Sequence, residues 1–190
     1  MKKTLMAVLF ILALLQHAAA QAASKEGFPA VKIGSQTWMS ENLNVGTFRN
    51  GDKILEVRSA AAWIKAYNEK TPAWCNYEFK DANGKKYGKL YNWFAVQDAR
   101  GLAPKGWRVA TVEDWAELAR SAGAEDSAAK QLRSQSGWKQ DGNGTNSVGF
   151  NGLPGGSINA YGMFGDVGFW GSWWSYNGAE AKLVKGVYLN

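Results

Sequence analysis

Residues 135–171 carry eleven glycines together with Pro154 and several asparagines, and the stretch has no helical period. Glycine costs about 1 kcal/mol relative to alanine inside a helix, so this part of the chain reads as short strands and long loops. A loop of such length in a compact domain usually serves function or conceals an unassigned element.

Helical signal lies upstream. Ser59 is placed to cap a helix whose apolar residues Ala60, Trp63, Ile64 and Tyr67 recur at spacings of three and four. A clearer helix starts at Thr111, with Asp114 three positions on as a near capping box. Val112, Trp115, Leu118, Ala119 and Ala122 make its stripe, and Gly123 ends it. A shorter piece is expected over Ser127–Arg133. Strands are expected at Val31–Ile33 and Gln36–Met39 around a Gly34-Ser35 turn, at Lys89–Val96, at Trp170–Tyr176 and at Lys182–Tyr188. Two amphipathic helices with several short strands predict an α+β fold in a single domain, which suits 190 residues.

The N-terminus reads as an address. Lys2 and Lys3 precede an 11-residue apolar run, Leu5–Leu15, and Ala-x-Ala follows at Ala18–Ala20 and at Ala20–Ala22. A retained membrane anchor is the competing reading, but a spanning helix needs about 20 residues. Residues 1–22 are therefore expected to be a cleaved secretory signal, and 23–30 a flexible lead-in to a domain over 31–190. The product is expected to be secreted or at the cell surface, with the periplasm as an alternative and no transmembrane anchor after cleavage.

His17, the one histidine, lies in that signal. Its loss excludes an imidazole base, a Ser-His-Asp or Cys-His nucleophile and His-ligated metal. Cleavage also leaves 20 basic residues against 16 acidic ones, scattered except for the doublet Lys85-Lys86. That pattern is a mixed, solvated surface, and no nucleic-acid partner is expected.

Seven sequence words occur in order: Ile33–Leu43 (IGSQTWMSENL), Trp74–Tyr77 (WCNY), Tyr87–Val96 (YGKLYNWFAV), Ala103–Val109 (APKGWRV), Glu113–Trp115 (EDW), Gly149–Gly156 (GFNGLPGG) and Gly171–Ser175 (GSWWS). Together they resemble the Fibrobacter succinogenes major paralogous domain, a family of exported bacterial proteins. That family is similar in turn to the C-type-lectin-like fold of formylglycine-generating enzymes, through the helix start Gly106–Trp115. The resemblance implies a fold and an exported location and no biochemical activity. Formylglycine generation uses paired cysteines, and this chain has Cys75 alone, so that chemistry does not transfer. Family members also tend to carry a closing strand with a cysteine. None is present here, which leaves the closing of the sheet open.

Cys75 reads as a small buried hydrophobe or as an interchain contact. Asp141–Asn146 places oxygen side chains at alternate positions as calcium loops do, yet it lacks the downstream Glu, and like Asp81–Gly84 it reads as a turn. Glu113 and Asp114 are adjacent and diverge, so they make no catalytic pair. No cofactor, no metal site and no catalytic residue is assigned.

Trp63, Trp93, Trp107 and Trp115 are expected in the core. The segment Phe169–Tyr176 differs, because neighbours Trp173 and Trp174 in a strand point to opposite faces. Aromatics beside Gly, Ser and Asn suit stacking on sugar rings, and equally a protein contact or plain core packing. The expected function is non-catalytic recognition of a polysaccharide or surface glycan through Trp170, Trp173, Trp174 and Tyr176 and the Gly-rich loop before them. The alternative is a structural or protein-interaction module that binds an envelope protein.

Overall fold

The computed structural model describes residues 23–25, 27–176 and 187–189. Residues 1–22, the expected signal, and the first part of the expected strand Lys182–Tyr188 lie outside the described residues.

Antiparallel pairing of β1 (Ala23–Lys25), β2 (Phe28–Ile33) and β3 (Gln36–Met39) makes the first sheet, with Val31 opposite Trp38 and Ile33 opposite Gln36. β1 and the first residues of β2 thus fall within the segment expected as a lead-in. Gly34, at φ +58°, makes the β2–β3 turn. Val31 and Ile33 face one way and pack on Leu118 and Ala122. Those two belong to α4 (Val112–Ala122), whose capping box is complete: Thr111 Oγ1 accepts from the Asp114 N–H at 3.1 Å, and Asp114 accepts from the Thr111 N–H at 2.7 Å. Within the expected stripe, Leu118 and Ala122 are buried while Val112 at the first turn is exposed. α5 (Glu125–Leu132) follows and adds Ala128 and Leu132 to the same cluster.

The second sheet orders β4 (Leu55–Glu56), β5 (Ala73–Cys75) and β6 (Leu90–Tyr91), parallel and then antiparallel. The parallel pair requires a crossover, which α1 (Ala60–Asn68) supplies. Ser59 caps it as expected by accepting from the Ala62 N–H at 3.2 Å, and Trp63 and Ala66 turn inward. All three residues of the central strand β5 are buried. Cys75 is 0 % exposed there, and burial pushes its thiol up to about 12. The small-hydrophobe reading describes that environment; pairing with a second chain would require β5 to open.

Three local expectations differ from the structure. The strand expected over Lys89–Val96 stops at Tyr91, because buried Asn92 caps α3 (Trp93–Val96). Its Oδ1 accepts from the N–H groups of Ala95 and of Ala73, both at 3.0 Å, and its amide donates to Thr71 O at 2.8 Å. Asp81–Gly84, read as a turn, opens α2 (Asp81–Tyr87), where Gly84 packs against the Asn76 side chain. The strand expected over Trp170–Tyr176 is shorter, β9 (Gly171–Trp173).

The Gly-rich stretch folds as loop plus one hairpin, β7 (Ser157–Ile158) with β8 (Phe164–Gly165). Its backbone is fastened in several places: Gly152 N–H donates to Leu132 O at 2.8 Å, Lys139 N–H to Gly168 O at 2.7 Å and Gly156 N–H to Trp170 O at 2.9 Å. β10 (Val187–Leu189) pairs antiparallel with β9, so a strand without a cysteine closes this edge.

The result is an α+β domain with five helices and four small sheets among the described residues. Its core is three adjoining clusters, centred on Leu118, on Tyr91 with Trp74, and on Trp63 with Cys75. No described helix is long and apolar enough to cross a membrane.

Candidate functional site

Where the three clusters meet, a cleft of about 920 Å³ opens. That volume falls toward the upper end of the roughly 300–1,000 Å³ typical of small-molecule sites. Its floor is aromatic. Trp38 from β3, Trp115 from the first turn of α4, Phe150 and Trp173 form a contiguous group with ring centroids 4.8–6.0 Å apart. Trp107 also lines the cleft.

β9 ends at Trp173, and Trp174 follows it directly, so the strand and its exit bring in the two neighbouring tryptophans. Trp173 lies half-buried against Trp115 and Phe150, and its indole N–H donates to Asn42 Oδ1 at 2.9 Å. Asn42 is held in turn by donating to Tyr87 O at 2.8 Å. Trp174 is 36 % exposed, donates to Tyr91 O at 2.9 Å and packs tilted against Trp93 with centroids 5.7 Å apart. Both Trp173 and Trp174 line the cleft. The other two expected site residues do not. Tyr176 packs behind Trp93 at 5.9 Å, and Trp170, 37 % exposed, sits beyond the cleft wall on the Asp166 turn.

Of the four tryptophans expected in the core, Trp63 alone is fully buried; Trp93, Trp107 and Trp115 are half-buried. Trp38, Trp107, Trp115 and Asn42 are the wall residues that sequence reasoning missed. Position within α4 was the available signal for Trp115: a first-turn residue sits at the end of its helix, where the stripe leaves the core.

The polar wall is largely satisfied from within. Arg108 binds Asp114 through both guanidinium nitrogens, with the NH2–Oδ1 distance at 2.7 Å. That ion pair, helped by the Thr111 backbone and side chain, holds the Asp114 carboxyl down at about 2. Lys89 donates to the carbonyl and side-chain oxygens of Asn44 and lies 4.3 Å from the Trp74 ring centroid; desolvation lowers its pKa. Tyr91 is buried and exchanges hydrogen bonds with Val45, donating to its carbonyl and accepting from its N–H, both at 2.8 Å.

Oxygen side chains of the Asp141–Asn146 turn serve the backbone: Asn143 accepts from Trp138 N–H at 3.0 Å and Asn146 from Asn151 N–H at 2.7 Å. Among the described residues no group of three His, Cys, Asp or Glu side chains is placed to hold a metal ion.

The Fibrobacter succinogenes major domain matches residues 31–189. The chain belongs to that family. No curated protein and no solved structure matches it. All seven words that carry the resemblance to the Fibrobacter succinogenes major domain contribute to the cleft: among them are Trp38, Tyr77, Tyr91, Trp107, Trp115 and Trp173. Residues scattered over most of the matched length thus converge on one surface feature.

Proposed function

We propose that this domain is a non-catalytic carbohydrate-binding module with a C-type-lectin-like fold, exported by a cleaved signal over residues 1–22 to the bacterial surface or beyond. The observation that carries the reading is the cleft itself. It offers half-exposed tryptophan faces, Trp174 foremost, beside neutral hydrogen-bonding groups from Asn42, Ser172 and Asn159. Ring faces stack on the C–H faces of sugars, and amides and hydroxyls bond their hydroxyl groups. The ligand is polysaccharide or another surface glycan.

A glycan array on the folded protein tests this, with Trp174→Ala and Trp173→Ala beside it. Trp174→Ala is expected to weaken binding about tenfold, as loss of one stacked ring costs about 1–1.5 kcal/mol. Trp173→Ala also removes core packing and is expected to lose stability as well. Absence of binding to every glycan by protein of native circular dichroism overturns the proposal.

A second reading, a protein-interaction module of the cell envelope, rests on a different place. The tip of the β7–β8 hairpin exposes Tyr161 at 74 % and Met163 at 60 %. It predicts capture of an envelope protein that is lost in a Tyr161→Ser, Met163→Ser variant and kept in Trp174→Ala.

A further inference from the structure

We infer that the cleft selects uncharged sugars, binding a neutral oligosaccharide in preference to one bearing uronate or sulfate groups. This rests on the carbohydrate reading above and adds the chemical class of the ligand.

Charge is the first argument. Four ionic side chains line the cleft: Glu41, Lys89, Arg108 and Asp114. They sum to zero, and both cations are already engaged. Arg108 grips Asp114 in a two-point ion pair. An anionic ligand that drew Arg108 away would strip the partner from a carboxylate that also caps α4 through the Thr111 N–H. Lys89 is held by two oxygens of Asn44 and covers the Trp74 ring. Glu41, by contrast, is exposed and has no cationic partner among the described residues. Outside the Arg108–Asp114 pair the charges of Lys89 and Glu41 cancel, so the wall offers a polyanion no net attraction. A site built for uronates or sulfates would present the opposite, a free guanidinium fork aimed at the ligand.

The second argument is the remaining lining. Trp115 buries an indole N–H that has no acceptor among the described residues. Buried donors are normally paired; this one is sealed from solvent, so it offers a ligand no donor. Burying an anion against Trp38, Trp115 and Trp173 would carry a desolvation cost, and the lining brings no net positive charge to offset it. The volume of about 920 Å³ suits an oligosaccharide over a single sugar.

The test is the glycan array on the full folded chain, read by class, followed by titration calorimetry of the best neutral hit at low salt and at about 1 M salt. Hits confined to neutral glycans are expected, with an affinity that changes less than about twofold across that range. Matched probes sharpen it: neutral manno-oligosaccharides against mannuronate oligomers of equal length, which differ by a carboxylate in place of a hydroxymethyl group. Hits confined to uronate or sulfated glycans, or an affinity falling about tenfold with salt, overturn this inference and leave carbohydrate binding standing. Absence of any hit overturns the carbohydrate reading instead. Glu41→Gln alters an exposed side chain outside the core, so its fold is retained. It is expected to raise mannuronate binding relative to the neutral probe by several-fold, and an unchanged ratio overturns the role given to Glu41.

Discussion

Asp114 accepts from Arg108, from the Thr111 N–H at 2.7 Å and from the Gln36 amide at 3.3 Å, tying α4, the 108–111 turn and β3 to one carboxylate. Its carboxyl titrates at about 2 in the folded chain, well below the ordinary value of about 3.9. A depressed folded pKa means that the stabilisation is fully present above about pH 4 and is lost as pH falls through 2. Arg108 is largely exposed, so solvent screening limits the effect to on the order of 1–2 kcal/mol. Urea unfolding of wild type and Asp114→Asn across that window checks it: the wild-type advantage is expected to hold above pH 4 and to shrink toward pH 2. Near this residue the sequence was readable, because a capping box spans four consecutive positions. Arg108 as the partner was not, since nothing in the spacing distinguishes a guanidinium that returns to its own helix from one that faces solvent.

At the scale of elements, the Gly-rich stretch is held by close backbone approaches as well as by hydrogen bonds. Gly156 has φ +67°, and a Cβ there would strike the Gly165 carbonyl, approach Val167 N at 2.8 Å and meet the Tyr77 ring at 2.9 Å. Gly51 has φ +94° and open space around it. Gly51→Ala is therefore expected to cost about 1 kcal/mol from backbone strain alone. Gly156→Ala is expected to cost about 2–4 kcal/mol, since steric overlap adds to the strain. Comparing the two urea midpoints checks both. α1 and α4 were legible because their caps and apolar periods are local. The Lys89–Val96 segment was misread as one strand because Asn92 is fixed partly by Ala73, nineteen positions earlier on β5. β5 itself, two buried aromatic or alanine neighbours and a cysteine, is too short to show a period.

At the scale of the whole molecule, Cys75 lies in the central strand beneath α1 and the β7–β8 hairpin. Its thiol, pushed up to about 12 by burial, is reachable only when the strand opens. Thiol labelling of the native protein is expected to be slow, to rise with urea along the unfolding curve and to leave a monomer on non-reducing gels. Rapid labelling at zero denaturant, or a disulfide dimer, would contradict that placement.

The sequence by itself determined the α+β class, the two capped helices, the solitary thiol and the absence of any imidazole beyond His17, since each of these is composition or a pattern within one or two turns. It also singled out the neighbours Trp173 and Trp174, although β9 ends at Trp173 and both line the cleft. Tertiary structure alone decided what each meets. Trp173 joins Trp38, Trp115 and Phe150, Trp174 rests on Trp93, and Trp170 and Tyr176 fall outside the cleft. Period assigns a side chain to a face, whereas the partner that covers or spares that face comes from segments as much as 131 positions away, as Asn42 does for Trp173.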